Sequence, residues 1–191
     1  MTKYVLHGGK IGEITENNKK FFREIFSGFQ NKVNFLCIYF ARDKKSDLDW
    51  KNMFEEDKKQ ISSACPDVKI NFILANKKKE VFQKQIKRSK IIFLKGGNTS
   101  KLRDYLKEIK NLADLWKGKV IAGTSAGAIV LSKYYYDGDK DTYEKGLGIL
   151  PIKMIVHWKK QRFGKIDNLK KFGEELKIVT IPEQKYVILD K

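Results

Sequence analysis

Histidine, cysteine and arginine are scarce in this chain, and each shortage narrows what it can do. Two cysteines occur in 191 residues. Cys37 lies inside the apolar run VNFLCIYF and Cys65 beside Pro66, with no C-x-x-C spacing and no His/Cys cluster. Such a pattern provides neither a zinc site nor a disulfide framework, so reduced structural thiols and no metal are expected. No apolar run approaches the roughly 18 to 20 residues that cross a bilayer. The opening MTKYVLHGGKIG also lacks the basic-then-apolar layout of an export signal. No membrane partner is expected, and the location is expected to be cytoplasmic. Pro/Gly-rich linkers, internal repeats and low-complexity tracts are missing too. With a length that suits one substantial core and is short for two, residues 1–191 are expected to form one domain.

The shortage of arginine bears on the charge. A formal net charge of +17 points first to nucleic acid, because basic surfaces gather phosphates through counterion release. Yet only Arg23, Arg42, Arg88, Arg103 and Arg162 can fork onto a phosphate or read a base edge. The other basic residues are lysines spread along the chain, with no zinc-finger, RNP or helix-turn-helix pattern beside them. They read as a solvated lysine-rich surface, and no nucleic-acid partner is expected.

What the chain does contain is a rhythm of short apolar runs: KYVLH, VNFLCIYF, VKINFIL, KIIFL and KVIAG. Runs of this length, rich in β-branched and aromatic residues, read as strands buried on both faces. Between them lie amphipathic segments. TENNKKFFREIFSGF opens with an N-cap at Thr15 and places Phe22, Ile25, Phe26 and Phe29 on one face, while SDLDWKNMFEEDKKQISSA opens with Ser46 and has Asp49 three residues on. Alternating strands and helices predict a mostly parallel sheet flanked by helices, with reactive groups at the carboxyl ends of its strands. After Ser125 the pattern loosens. A tyrosine-rich loop YYYDGDKDTYEKG, a short strand around Ile155, a helix from about Phe163 to Leu176 and two strands in KIVTI and YVIL are expected.

One stretch calls for chemistry. VIAGTSAGAIVL sets Ser125 in a G-x-S-x-G pentapeptide between a strand and a following apolar helix, the order a nucleophile elbow needs. Small flanking residues allow a strained turn, and the helix would aim free N–H groups and its positive end at developing negative charge. The plainer explanation is that glycines and alanines let a helix pack closely on the sheet. IIFLKGGNTSKLRDYL repeats the layout of strand, glycine turn and helix. Gly96 or Gly97 could therefore supply one oxyanion donor and Ala126 the other, with Asn98 and Thr99 beside the substrate. A serine needs a base within hydrogen-bond reach. Only His7 and His157 can be that base if it is an imidazole, and His157, downstream of an acid-rich loop, is preferred.

Taken together, GTSAGA, FLKGGNTSKL, GLGILP leading to VHW, and IPEQKYVIL resemble the peptidase E family of serine peptidases, which includes aspartyl dipeptidases and is related to cyanophycinases. The resemblance runs from VLHGG to YVIL. It implies a flavodoxin-like three-layer α/β sandwich with a mostly parallel central sheet, related to the class I glutamine amidotransferase domain. It also implies hydrolysis of a small peptide through an acyl-enzyme, without cofactor. A monomer or homodimer is expected. By position, Ser125 matches the family nucleophile and His157 its general base. Glu183 matches an acidic position that completes the triad, with Asp137 or Asp139 as the alternative third member. Arg162 sits near the family's specificity arginine, which would grip the carboxylate of an amino-terminal aspartate.

The sequence departs from the family in places. Lys95 stands first in what is usually a three-glycine turn, so it is expected to narrow the oxyanion pocket or add charge beside it. Relatives commonly continue past YVIL, which leads one to expect an abbreviated sheet edge, and Trp158 replaces a commoner Tyr or Phe after the histidine. Two other readings stay open. An α/β-hydrolase esterase would use HGG as an oxyanion loop and the order Ser125, Asp139, His157. A catalytically silent module of the amidotransferase-like fold would bind an acidic ligand.

Overall fold

Each of the five apolar runs becomes a strand because its residues can be buried on both faces of a sheet covered by helices. The computed structural model describes residues 1–43 and 47–191. The strands are β1 (Lys3–His7), β2 (Val33–Ile38), β3 (Ile70–Leu74), β4 (Ile91–Leu94) and β5 (Val120–Thr124). Between them run α1 (Glu16–Ile25), α2 (Asp47–Ala64), α3 (Lys79–Arg88), α4 (Thr99–Lys107) and α5 (Leu112–Trp116). All of β4 and β5 is buried, whereas β3, on the edge, is only partly covered. Thr15 caps α1 as expected, its Oγ1 accepting from the Asn18 N–H at 3.3 Å. The buried face of α1 carries Asn18, Phe21, Phe22 and Ile25, so a polar residue shares the apolar stripe. Ser46, expected to open α2, lies outside the described residues.

The six-stranded sheet has the order β10-β1-β5-β4-β2-β3, parallel except for β10 (Tyr186–Asp190), which runs antiparallel to β1. Counted from β2, the order β3-β2-β4-β5-β1 is the flavodoxin order, with the first strand in the place of the fifth. Its switch point falls between β2 and β4. There the loops following these two strands meet, and the Asn98 N–H donates to the Ala41 carbonyl at 2.8 Å.

Past Ser125 the structure departs from expectation. The helix after the serine, α6 (Ala126–Ile129), is a single turn, stopped where the Ser132 hydroxyl takes the Ile129 carbonyl at 2.7 Å. The tyrosine-rich stretch is a hairpin rather than a loop, formed by β6 (Ser132–Asp137) and β7 (Thr142–Lys145). Its tyrosines alternate as a strand requires: Tyr135 enters the main core, while Tyr134 and Tyr136 join a second cluster with Ile155 and Leu169. The short strand expected near Ile155 is the seven-residue β8 (Leu150–Val156). With β9 (Ile178–Ile181) these strands make a second sheet of order β7-β6-β8-β9. The last helix, α7 (Phe163–Lys171), ends before Leu176: Phe172 is extended and Gly173 follows at φ 72°, while buried Lys153 takes the Leu169 and Lys170 carbonyls at 2.8 and 2.7 Å. Among the described residues no helix is long and apolar enough to cross a membrane.

Candidate active site

The two sheets bring their carboxyl ends together, and the candidate groups converge at that seam. Ser125 directly follows β5 with φ 52° and ψ −117°, a conformation that L residues avoid. Its N–H is held by the His7 carbonyl at 3.0 Å. Gly127 makes the bend possible, since a Cβ there would lie 2.0 Å from the Leu94 carbonyl oxygen of β4. The close-packing explanation of the pentapeptide and the elbow explanation are therefore both met by the same turn.

His157 is the first residue after β8, again at positive φ (50°), with its N–H bonded to the Gly8 carbonyl at 2.9 Å. Its Nε2 lies 2.9 Å from Ser125 Oγ, and its Nδ1 lies 3.0 Å from Glu183 Oε1. Glu183 sits in the turn from β9 to β10, where the chain passes from the second sheet to the first. The other carboxylate oxygen of Glu183 pairs with Lys10 Nζ at 2.9 Å. The hydrogen bonds from Lys10 and His157 hold the Glu183 carboxyl below its usual range, so it stays ionised and accepts the proton-bearing Nδ1. Nε2 is then left to accept from the serine hydroxyl. Glu183, and not Asp137 or Asp139, is bonded to the imidazole. Asp137 instead accepts the backbone N–H groups of Asp139 and Lys140 at 3.0 and 3.3 Å, closing the β6–β7 turn.

The segment His7-Gly8-Gly9 builds the histidine's seat. A Cβ on Gly9, whose φ is 120°, would fall 2.0 Å from His157 Cε1, so the imidazole lies directly on the glycine backbone. His7 itself is wholly buried. It donates from Nε2 to Asn18 Oδ1 at 3.0 Å, and its Nδ1 accepts the Gly9 N–H at 3.2 Å. Burial, only partly opposed by the Asn18 bond, pushes its pKa down to about 4, with nearby His157 adding to the effect. His7 is thus a neutral structural residue. Asn18 Nδ2 also donates to the Lys10 and Glu13 carbonyls at 2.9 and 2.7 Å, pinning the loop that carries Gly9 and Lys10. Sequence reasoning missed Gly9, Lys10 and Asn18. Their signal was H-G-G after the first strand together with a polar residue on the apolar face of α1.

A cleft of about 190 Å³ opens over the serine, lined by Gly97, Thr99, Ser125, Ala126, His157 and Arg162, with Asp137, Gly138 and Asp139 at its side. The N–H groups of Gly97 and Ala126 have no acceptor among the described residues. Gly96 stays behind the cleft, where a Cβ would meet Ser125 Cβ at 3.0 Å. Asn98 is turned to α4, accepting the Lys101 N–H at 3.0 Å, so of the Asn98-Thr99 pair only Thr99 reaches the cleft. Lys95 neither narrows the pocket nor charges it. Its Nζ turns away to Asp57 Oδ1 at 2.5 Å, a carboxylate that also accepts from Tyr39 Oη at 2.7 Å. Arg162 donates Nη1 to the Val156 carbonyl at 3.1 Å and rests its guanidinium 5.7 Å from the centre of the Tyr136 ring. Among the described residues no group of three His, Cys, Asp or Glu side chains is disposed to hold a metal ion.

A mostly parallel α/β sheet carrying a serine at a strained strand end, bonded to an imidazole that is itself bonded to a carboxylate, defines the class of serine hydrolases. Within that class the chain belongs to peptidase family S51, which it matches over residues 15–191, and it is a serine peptidase. Its fold is that of solved peptidases. One, from an acI-B1 Actinobacterium, superposes with a TM-score of 0.68 at 21% identity, covering 99% of this chain and 83% of the other. Another, described as a peptidase E protein of Listeria monocytogenes EGD-e, gives 0.67 at 18% identity over 99% and 94%. No curated protein sequence matches significantly.

Proposed function

We propose that this serine peptidase cleaves short peptides, with an amino-terminal aspartate preferred, through an acyl-enzyme on Ser125. The Ser125 Oγ attacks the scissile carbonyl carbon and His157 Nε2 takes the hydroxyl proton. Glu183 keeps the imidazole in the tautomer that accepts this proton and stabilises the imidazolium. Negative charge on the carbonyl oxygen is met by the N–H groups of Gly97 and Ala126. The imidazolium then protonates the departing amine as the C–N bond breaks. Water, deprotonated by the same nitrogen, releases the acid and restores Ser125.

The observation that carries this reading is the continuous relay from Ser125 Oγ through His157 to Glu183, with links of 2.9 and 3.0 Å. The substrate's size is argued from the cleft. At about 190 Å³ it is smaller than the roughly 300 to 1,000 Å³ of pockets that enclose drug-sized ligands, which suits one or two residues. An acidic residue is argued from Arg162, the guanidinium in the lining, which donates to a backbone carbonyl and makes no ion pair with a carboxylate within 4 Å among the described residues.

A fluorophosphonate probe and a panel of dipeptides differing in the amino-terminal residue test the reading. Wild type should be labelled and Ser125→Ala should not. His157→Ala should lose at least about a thousandfold in kcat. Arg162→Ala should lose about a hundredfold in kcat/KM on aspartyl dipeptides and little on neutral ones. No labelling of wild type would favour a silent binding module, and activity confined to short acyl esters would favour an esterase.

A further inference from the structure

The Gly96–Gly97 peptide has no side chain to set its plane, yet one of the proposed oxyanion donors is the N–H of that peptide. Glycines cross between backbone regions at little cost, so such a peptide can turn over between its neighbours unless something holds it. The neighbours are anchored: the Lys95 N–H donates to the Ile38 carbonyl at 3.0 Å and the Asn98 N–H to the Ala41 carbonyl at 2.8 Å. Between these anchors, the Gly96 carbonyl accepts from Arg42 Nε at 2.6 Å. Arg42 is itself placed by the turn that ends β2, its N–H bonded to the Tyr39 carbonyl at 2.8 Å. Its side chain runs along the glycines so closely that a Cβ on Gly97 would lie 3.1 Å from Arg42 Cδ.

We propose that Arg42 is a positioning residue for the peptidase reaction: by holding the Gly96 carbonyl it turns the Gly97 N–H towards the oxygen of the scissile carbonyl. The proposal rests on the reading of Gly97 as an oxyanion donor. In a planar trans peptide the C=O and N–H point in opposite directions. A cation fastened to the Gly96 oxygen therefore faces away from the cleft, and the Gly97 N–H faces the cleft that Gly97 lines. The guanidinium also polarises the peptide it grips, since charge-assisted bonds are stronger than neutral ones and linked bonds reinforce one another. Arg42 never touches substrate. It acts through a peptide plane, and its effect belongs to the transition state, where the oxygen carries charge.

The test compares Arg42→Ala, Arg42→Lys and Ser125→Ala with wild type, using an aspartyl dipeptide and the rate of fluorophosphonate labelling at Ser125. Arg42→Ala should lose about 10- to 100-fold in kcat, with KM within about twofold, and label more slowly by a similar factor. Methylguanidinium, added at concentrations that leave wild type unaffected, should restore part of the rate to Arg42→Ala, which a loss of folded protein would not allow. Should Arg42→Ala fail to fold, Arg42→Lys, which keeps a cation near the carbonyl, should show the same kcat-selective loss to a smaller degree. Wild-type kcat and labelling rate in a folded Arg42 variant, or a rise in KM with kcat unchanged, would overturn the proposal. Hydrolysis surviving in Ser125→Ala would instead overturn the acyl-enzyme reading beneath it.

Discussion

Ser125 and His157 share a feature that is costly in any chain: both hold positive φ without being glycine, at 52° and 50°. Such conformations cost of order 1 to 3 kcal/mol each and persist only where surrounding bonds over-determine them. Here the His7 carbonyl holds one residue and the Gly8 carbonyl the other, so the first strand and its glycine turn fix both. Gly9 is the sharpest test of that arrangement. Gly9→Ala would place a methyl group on the imidazole, and displacing a reacting group by about an ångström costs about a hundredfold in rate. The variant is expected to lose about that much kcat/KM while retaining the wild-type far-UV circular dichroism spectrum. His7 carries a different kind of information. It was one of two candidate bases by composition, and only its burial and its bond to Asn18 exclude it from the chemistry.

At the scale of elements, the strands were legible and the shorter pieces were not. Runs such as IIFL and VIAG read as strands because burial on both faces leaves an unbroken apolar signature. The hairpin hidden in YYYDGDKDTYEKG carries its alternation in three identical residues, which a hydrophobic count cannot see. The end of α7 at Gly173, which has φ 72°, is a local signal, but its last carbonyls are met by Lys153, fully buried on a neighbouring strand, whose ammonium sits at the carbonyl end of the helix. Lys153→Met would leave those carbonyls without their donor, at about 2 kcal/mol. Thermal unfolding should show a decrease of roughly 4 to 8 °C for a chain of this size. The one-turn α6 has a consequence for the chemistry as well. So short a helix has little macrodipole, so in the proposed reaction stabilisation of an oxyanion would fall on individual N–H groups rather than on a helix end.

For the molecule as a whole, protons decide the range over which the fold is stable. His7 has its pKa lowered to about 4 from an unfolded value of 6.5, so the unfolded chain binds the extra proton. Stability from this group is complete above about pH 6.5 and is lost as pH falls towards 4, by up to about 3 kcal/mol. Glu144 follows at lower pH. Although its partial burial opposes ionisation, hydrogen bonds from Lys140, Tyr135 and Arg103 bring its pKa down to about 2, so its contribution fades from about pH 4.5 to 2. The net charge of +17 grows over the same range and adds self-repulsion. Urea unfolding at a series of pH values should show wild-type stability falling between pH 6.5 and 4, and His7→Gln should show a flatter dependence there.

By itself the sequence determined the local grammar of this protein: buried strands, the Thr15 cap, a serine placed to form a strained turn, and family motifs at Gly96-Gly97, His157 and Glu183. Those are properties of neighbouring residues, governed by backbone sterics and by the periodicity of burial. Tertiary structure alone decided that β9 and β10 belong to different sheets, so that the turn between them carries Glu183 to His157. It also decided that Lys95 turns towards Asp57, that Lys10 pairs with Glu183 and that Arg42 reaches Gly96. These contacts join residues far apart in the chain, and their direction depends on how two sheets meet, which no local pattern of side chains encodes.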